Sequence, residues 1–443
     1  MDTPIWDFVE TYRRQGTHRL HMPGHKGQGE WGFEPWDITE IEGADALFTA
    51  DGIIAASESN AATLFGARRT LYSTEGSSLC VRTMVALMVR LAAQRGVRPL
   101  ILATRNAHQS FLSAVSTCRA EVAWLYGREA HNYMRCPITV EDVTAALDAL
   151  PMPPVALYVT SPDYLGYMAP LGQLARLCHQ RGVLLLVDNA HGAYLRFVGE
   201  HPMSVGADLC CDSAHKTLPA LTGCAYLHVG AEAPAFVDEY AKSTMARFAT
   251  TSPSYLQLVS LDRLNAVLDD WAPIARRFAM RVADLRRDLT ALGYDVVGDE
   301  PFKLTLATRA YGYTGGQVAA YLGDKGLTCE MHTPEYVVCL LSPSLDEDAL
   351  PALYAALAAL PELPALAPFT LTACRPAVAM PVYQAAWAPC ERIPLDLALG
   401  RVVADNALRC PPAVPIVVPG EIVDADVLCA LRQTGETHIT VVR

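Results

Sequence analysis

The segment GVLLLVDNAHGAYLRF, residues 182 to 197, limits the fold more than any other part of this chain. Val183 to Val187 are five apolar residues in a row, with no polar alternation. A strand of that kind is covered on both faces, as in a parallel sheet sandwiched between helices. Asp188 then stands at the strand's carboxyl end, where open α/β sheets bind their ligands. The small Ala190 leaves room for a flat ring lying on it, with a ring heteroatom paired to the Asp188 carboxylate. The plainer alternative is a carboxylate that caps a helix or turn. Further apolar strands read at 98–104, 155–162 and 224–230, and the helix LGQLARLCHQRG, residues 171 to 182, supplies a crossover. Strand, loop and helix alternate as in a doubly wound sheet, so the expected class is α/β with a mostly parallel sheet.

A second constraint lies 28 positions after Asp188, where DSAHKTLPALTG, residues 212 to 223, follows the apolar ADLCC. It sets Lys216 among Asp212, Ser213, His215 and Thr217, whose hydroxyl and imidazole groups suit a nearby anion such as a phosphate. On that stretch alone a solvated lysine after a strand is an equal alternative. Taken with Asp188, the pair matches what pyridoxal phosphate (PLP) chemistry requires: a carboxylate that keeps the pyridine nitrogen protonated and a lysine that attaches to the aldehyde. A third piece is RTLYSTEGSSLCVRTMVALMVRLAAQRG, read as a strand, a glycine-serine turn and a long apolar helix closed by Gly96. Ser77 and Ser78 fall at the helix N-terminus, where unpaired N–H groups and the helix dipole favour an anion. An ordinary serine cap is the alternative. His108, in RNAHQS, falls just beyond the carboxyl end of the 98–104 strand. Near the start, residues 4–15 read as a short amphipathic helix with Ile5, Phe8, Val9 and Tyr12 on one side. The turn-rich HMPGHKG, residues 21 to 27, reads as a rigid loop presenting His21, His25 and Lys26, or as a solvated turn.

The chain resembles the ornithine/lysine/arginine decarboxylase family of PLP enzymes, in the fold-type I (aspartate aminotransferase-like) superfamily, as a short form without an N-terminal wing domain. The resemblance runs through HMPGHKG, DITEIEGADAL (37–47), LYSTEGSS (71–78), RNAHQS (105–110), TSPDYLG (160–166), VDNAHG (187–192), DSAHKTLPALTG, TTSPSYLQLVSLD (250–262) and PPAVPIVVPGE (411–421). A large PLP-binding domain is expected over residues 1–265; a helical pattern from about 254 to 292 leads into a small α/β domain over 266–365, patterned as one strand near 294, the helix QVAAYLGDKG and the strands LTCEMH and YVVCLL, and the proline-rich LPELPALAP marks the boundary to a C-terminal domain over 366–443. The resemblance implies cofactor contacts from Ser77, Ser78, His108, Asp188, Ala190, His191, Ser213, His215 and Lys216, with His108 stacked on the pyridine ring. Lys216, His108 and Asp188 are the expected catalytic residues. Glu42, Asp45 and Glu421 are candidates for a cationic substrate, although two carboxylates in a loop are as a rule simply solvated. The HMPGHKG and TEIEGADAL loops are placed near a dimer interface, so a homodimer or higher homo-oligomer is expected. Three positions depart from the family pattern: Glu75 stands where an amide is usual, Asp163 where threonine is common, and Ala413-Val414 where Gly-Ile is typical. The last change is expected to be mild and to stiffen its loop.

Composition agrees with this reading. At 443 residues, two or three domains are expected. Lysine plus arginine total 35 against 47 acidic residues, a net charge of -12 that argues against a nucleic-acid surface and suits a cationic small-molecule substrate. Thirteen cysteines include no C-x-x-C pair, so neither zinc nor a disulfide framework is expected. The acidic start carries no signal peptide, and no stretch reads as a membrane span; a cytoplasmic enzyme with no membrane partner follows. The expected reaction is PLP-dependent decarboxylation of lysine, ornithine or arginine to the amine and CO2. The alternatives are another PLP reaction on an amino acid, for which Arg309 or Arg375 would clamp the α-carboxylate, and a non-catalytic subunit of the same fold.

Overall fold

The computed structural model describes residues 1–128, 132–371, 374–405 and 412–443. They divide into two compact units, Met1–Val97 with Leu171–Ile274, and Arg98–Pro170 with Ala275–Arg443. In chain order the strands are β1 (Arg69–Ser73), β2 (Leu100–Thr104), β3 (Glu121–Leu125), β4 (Ala156–Thr160), β5 (Leu184–Asp188), β6 (Leu209–Asp212), β7 (Ala225–Val229), β8 (Asp295–Val297), β9 (Lys303–Ala307), β10 (Met331–His332), β11 (Tyr336–Leu340), β12 (Cys390–Pro394), β13 (Val403–Asp405) and β14 (His438–Val442).

In the first unit the strands lie in the order β1-β7-β6-β5. β5 and β6 run parallel, with Asp188 opposite Cys211, while β6–β7 and β7–β1 are antiparallel. All five β5 residues are buried, as their unbroken apolarity requires. Leu185, Leu186 and Val187 are each fully enclosed and contribute about 1.5–3 kcal/mol apiece. The helix Leu171–Gln180 buries Leu174, Ala175, Leu177 and Cys178 on one stripe and feeds into β5. The helix Gly76–Arg95 follows β1 and ends at Gly96, whose φ of +67° is the left-handed conformation that closes a helix. This helix is long and apolar enough to cross a membrane, against the expectation that no stretch would be, but most of it is buried in the core. It packs on β6, β7 and the helix Ala235–Met245. In the N-terminal helix Pro4–Arg14 only Ile5 and Val9 of the predicted stripe are fully buried. The backbone N–H groups of Ile5 and Trp6 donate to Asp262 Oδ2 and anchor the start of that helix.

The second unit holds three sheets: β4-β2-β3, parallel throughout; β10-β11-β9-β8, antiparallel; and β12-β14-β13, antiparallel. Two short strands, β8 and β9, replace the single one expected near residue 294. The expected strand LTCEMH shrinks to Met331–His332, because Leu327 N–H turns back to Leu322 O and closes the helix Gly315–Asp324. The C-terminal sheet, with the helix Ala425–Gln433, surrounds its own core of Ile393, Leu395, Val403, Val427 and Val441. Helix Tyr255–Ala291, expected from about 254 to 292, contains residues of both units.

Candidate active site

Four predicted residues share the carboxyl edge of β5 and β6. Asp188 is the last residue of β5 and is buried; its Oδ1 accepts from Ala190 N–H at 3.2 Å and from the Cys211 thiol at 3.4 Å. Burial, reinforced by the Asp188 charge, pushes the Cys211 thiol well above its usual range, so it stays protonated as a donor. Lys216 lies in the single turn Ala214–Thr217 that follows β6, and its Nζ is 3.1 Å from His191 Nε2. His191 and Ala190 are both buried. The pairing of β5 and β6 thus brings the 188–191 and 213–216 segments together, as the sequence predicts.

The residues expected to cradle an anion lie in the same unit. Ser77 and Ser78 occupy the first turn of the helix Gly76–Arg95, and Ser213 Oγ donates to Ser77 Oγ at 2.9 Å. A Cβ placed on Gly76, whose φ is +69°, would meet no atom within 4 Å, so the space before this helix end is open. The buried Thr217 Oγ1 has no hydrogen-bond partner among the described residues. Glu75 turns away from the anion position, its Oε1 accepting from Thr250 N–H at 2.7 Å. His215 Nδ1 is 2.9 Å from Cys224 O, and burial lowers its pKa. Hydroxyl and N–H donors, an amine and a buried carboxylate fit a pyridine phosphate with an aldehyde, and PLP is the cofactor this set matches.

The Asp45 carboxylate is filled by backbone donors: Ala46 and Asp51 N–H on Oδ1, Gly52 and Ile54 N–H on Oδ2. It ties down the loop before the helix Ile53–Phe65. Glu42 is exposed. The polar groups of HMPGHKG face their own surroundings: His21 Nε2 lies 2.7 Å from Tyr12 Oη, His25 Nε2 3.2 Å from Asp37 Oδ2, and Lys26 Nζ donates to His21 O. These polar groups are thus engaged within the N-terminal segment itself.

In the second unit, His108 caps the helix Gln109–Cys118, its Nδ1 accepting from Ser110 N–H at 3.1 Å. Glu421, a candidate for supporting the substrate site, is fully buried. Its Oε2 accepts from Arg105 Nη2 at 3.1 Å and from Val418 N–H at 2.7 Å, and Arg105 also donates to Pro415 O and Ile416 O. Burial raises the Glu421 pKa, with Arg105 opposing. Gln109 N–H donates to Ala413 O, joining the same C-terminal loop to the segment that bears His108. Ala413 is buried with φ +50°, a left-handed conformation that explains why glycine is typical there; the alanine strains the loop and is not the mild change expected. Pro411 lies outside the described residues. Asp163 is buried, and its Oδ1 accepts from Leu165 and Tyr167 N–H. Burial pushes its pKa up to about 6. Arg309 donates to Ala367 O and Pro334 O, and Arg375 lies over the Tyr126 ring and donates to Gly127 O.

Sequence reasoning missed Arg105 as the partner of Glu421, and Asn189, whose Nδ2 donates to Asp212 Oδ1 at 2.6 Å. Both residues lie inside motifs already singled out, RNAHQS and VDNAHG, but neither names its partner.

Comparison with known proteins agrees with the geometry. The sequence profile for the Orn/Lys/Arg decarboxylase major domain matches residues 3–289, and that for the C-terminal domain of the same family matches residues 369–436. An arginine decarboxylase of Halalkalibacterium halodurans is 28% identical, covering 99% of this chain and 94% of that protein. One from Bacillus subtilis is 28% identical, covering 95% and 91%. The structure of E. coli constitutive lysine decarboxylase superposes with a TM-score of 0.81 at 18% identity, covering 100% of this chain and 82% of the other, a likeness of fold. The profile match over most of its length shows that this chain belongs to the Orn/Lys/Arg decarboxylase family of PLP-dependent fold-type I enzymes.

Proposed function

We propose that this decarboxylase acts on arginine ahead of lysine and ornithine, as a homodimer or higher homo-oligomer in the cytoplasm. The observation that carries the reading is the Asp188–Lys216 corner, where a buried carboxylate and an amine beside a histidine stand at one strand edge. The arginine preference rests on the curated relatives that align over almost the whole chain. The net charge of -12 suits any of the three cations. Twelve cysteines, all free among the described residues, suit a reducing compartment.

In this reading Ser77, Ser78, Ser213 and the N–H groups of the first helical turn hold the phosphate, and Asp188 holds the ring nitrogen protonated. Ala190 would support the ring, and Lys216 would hold the aldehyde carbon. Bound PLP supplies an electron sink for the pair left when the Cα–carboxylate bond breaks. His191 accepts or returns a proton at Lys216 Nζ. The stacking role of His108 rests on the resemblance alone, since its observed bonds cap a helix. Arg309 is occupied by two carbonyl groups, which counts against an aminotransferase clamp there. Incubating the holoenzyme with arginine, lysine and ornithine and identifying products by mass spectrometry tests the reading: agmatine and CO2 from arginine are expected, whereas a keto acid with pyridoxamine phosphate refutes decarboxylation. Sedimentation tests the assembly; a fully active monomer refutes it.

A further inference from the structure

Asp212 has no part in the roles above, although it immediately precedes Ser213 at the end of β6. Its side chain is fully buried, as are those of His201, His228 and Asn189. Oδ2 accepts from His201 Nε2 at 2.8 Å and His228 Nε2 at 3.2 Å; Oδ1 accepts from Asn189 Nδ2 at 2.6 Å and Cys210 Sγ at 3.5 Å. The surrounding bonds fix the protons. Met203 N–H donates to His201 Nδ1, so that ring carries its hydrogen on Nε2, toward Asp212. Thr70 Oγ1 is 2.8 Å from His228 Nδ1, and with the hydroxyl donating, His228 likewise turns an Nε2–H toward the carboxylate. Burial raises the Asp212 pKa, but the two imidazole donors outweigh it and hold the group ionised.

Asn189 is oriented as firmly. Rotating its amide would set Oδ1 against the Asp212 carboxylate. On its other side a Cβ at Gly192 would come within 2.1 Å of Asn189 Oδ1, so glycine alone allows this approach. Asn189 N–H also donates to Cys211 O at 3.0 Å. Asn189 directly follows Asp188, and Asp212 directly precedes the Ser213–Lys216 turn.

We propose that Asp212 is a positioning residue for the cofactor, locking through Asn189 the corner that carries Asp188 to the corner that carries Ser213 and Lys216. The inference rests on the reading of Asp188 and Lys216 as cofactor-binding residues. A reacting site needs its groups held within a fraction of an ångström, and a shared buried carboxylate between two strand ends supplies that. His201, Cys210 and Asp212 also place nitrogen, sulfur and oxygen atoms within 4.8 Å of one another, a donor set suited to zinc. Metal binding would require the imidazoles to give up the Nε2 hydrogens they now donate, so the hydrogen-bonded clamp is the arrangement the geometry supports.

The test compares wild type with Asn189→Leu, which breaks the tie and keeps the carboxylate, and with Asp212→Asn. Expected in both variants are a kcat reduced about 10- to 100-fold with little change in KM. PLP affinity, measured by titrating resolved apo-enzyme, and the visible absorption band should change as well. Wild-type kcat and PLP affinity in folded Asn189→Leu overturn the proposal, as does a loss confined to apo-protein melting temperature. Stoichiometric zinc in the purified wild type overturns it too. If Asp212→Asn yields no soluble protein, Asn189→Leu decides by the same measurements. Borohydride trapping of PLP on Lys216 in the wild type separates the two levels: failure there removes the site reading and the proposal with it, whereas success with unchanged variants removes the proposal alone.

Discussion

The Arg105–Glu421 corner of the second unit and the Asp188–Lys216 corner of the first handle charge in opposite ways. Arg105 meets Glu421 with a full positive charge and spends its other donors on two carbonyl groups. A buried pair of that kind holds its loop in place. Asp188 instead meets a neutral thiol and a backbone N–H, and Lys216 meets an imidazole. A thiol, a backbone N–H and an imidazole beside an acid and an amine suit a site whose ligand brings groups of its own. Two buried acids, one in a loop and one at a strand end, thus differ in what surrounds them.

The comparison can be broken by substitution. Lys216→Ala should lower kcat by at least ~10³-fold, the range for loss of a covalent catalytic group, and remove the visible absorption band. Arg105→Leu should leave Glu421 buried and unpaired and destabilise the fold by about 3–5 kcal/mol, read by urea unfolding; adding Glu421→Leu should restore most of that loss. Recovery of activity by a similar neutral pair at Asp188 and Lys216 would erase the distinction. Asp188→Asn should retain PLP but lose about 100-fold in kcat, because an amide does not hold a pyridine nitrogen protonated. Asp163 sharpens the comparison through pH. Its folded pKa of about 6 lies above the ordinary carboxylate value, so the folded protein takes up a proton as pH falls through 6. The stabilisation belonging to the protonated form is therefore fully present below about pH 4 and is lost as pH rises from there through 6. Asp163→Asn should be about 1–3 kcal/mol more stable than wild type at pH 8 and nearly equal to it at about pH 4, by denaturant titration at each pH. The smallest effect is at Ala413, where glycine should add about 1 kcal/mol by relieving the left-handed backbone.

The parts legible in sequence were those written locally. The unbroken apolar run announced β5, and its end announced Asp188; the glycine-serine turn before a long helix announced the positions of Ser77 and Ser78. Partnerships over long separations were not legible. Nothing local tells Glu421 that Arg105 is its counter-ion, or Asp212 that His201 and His228 converge on it from a loop and from β7. Asp45 shows the converse: its residue type permits substrate binding, and only the backbone path reveals that four N–H groups already fill it. The sheet of β12, β13 and β14 was hidden because its strands are short, and only β14 alternates, over five residues.

The helix Gly76–Arg95 has a consequence for synthesis on the ribosome. Its packing partners β6, β7 and the helix Ala235–Met245 are translated more than a hundred residues after it. At about 5–20 residues per second, that leaves an apolar segment of membrane-spanning length without its native cover for on the order of ten seconds. During that interval the helix that begins with Ser77 and Ser78 exposes an apolar surface of the kind chaperones bind. The yield of active enzyme in cells should therefore depend on translation speed between residues 95 and 225 more than on the final stability of the fold.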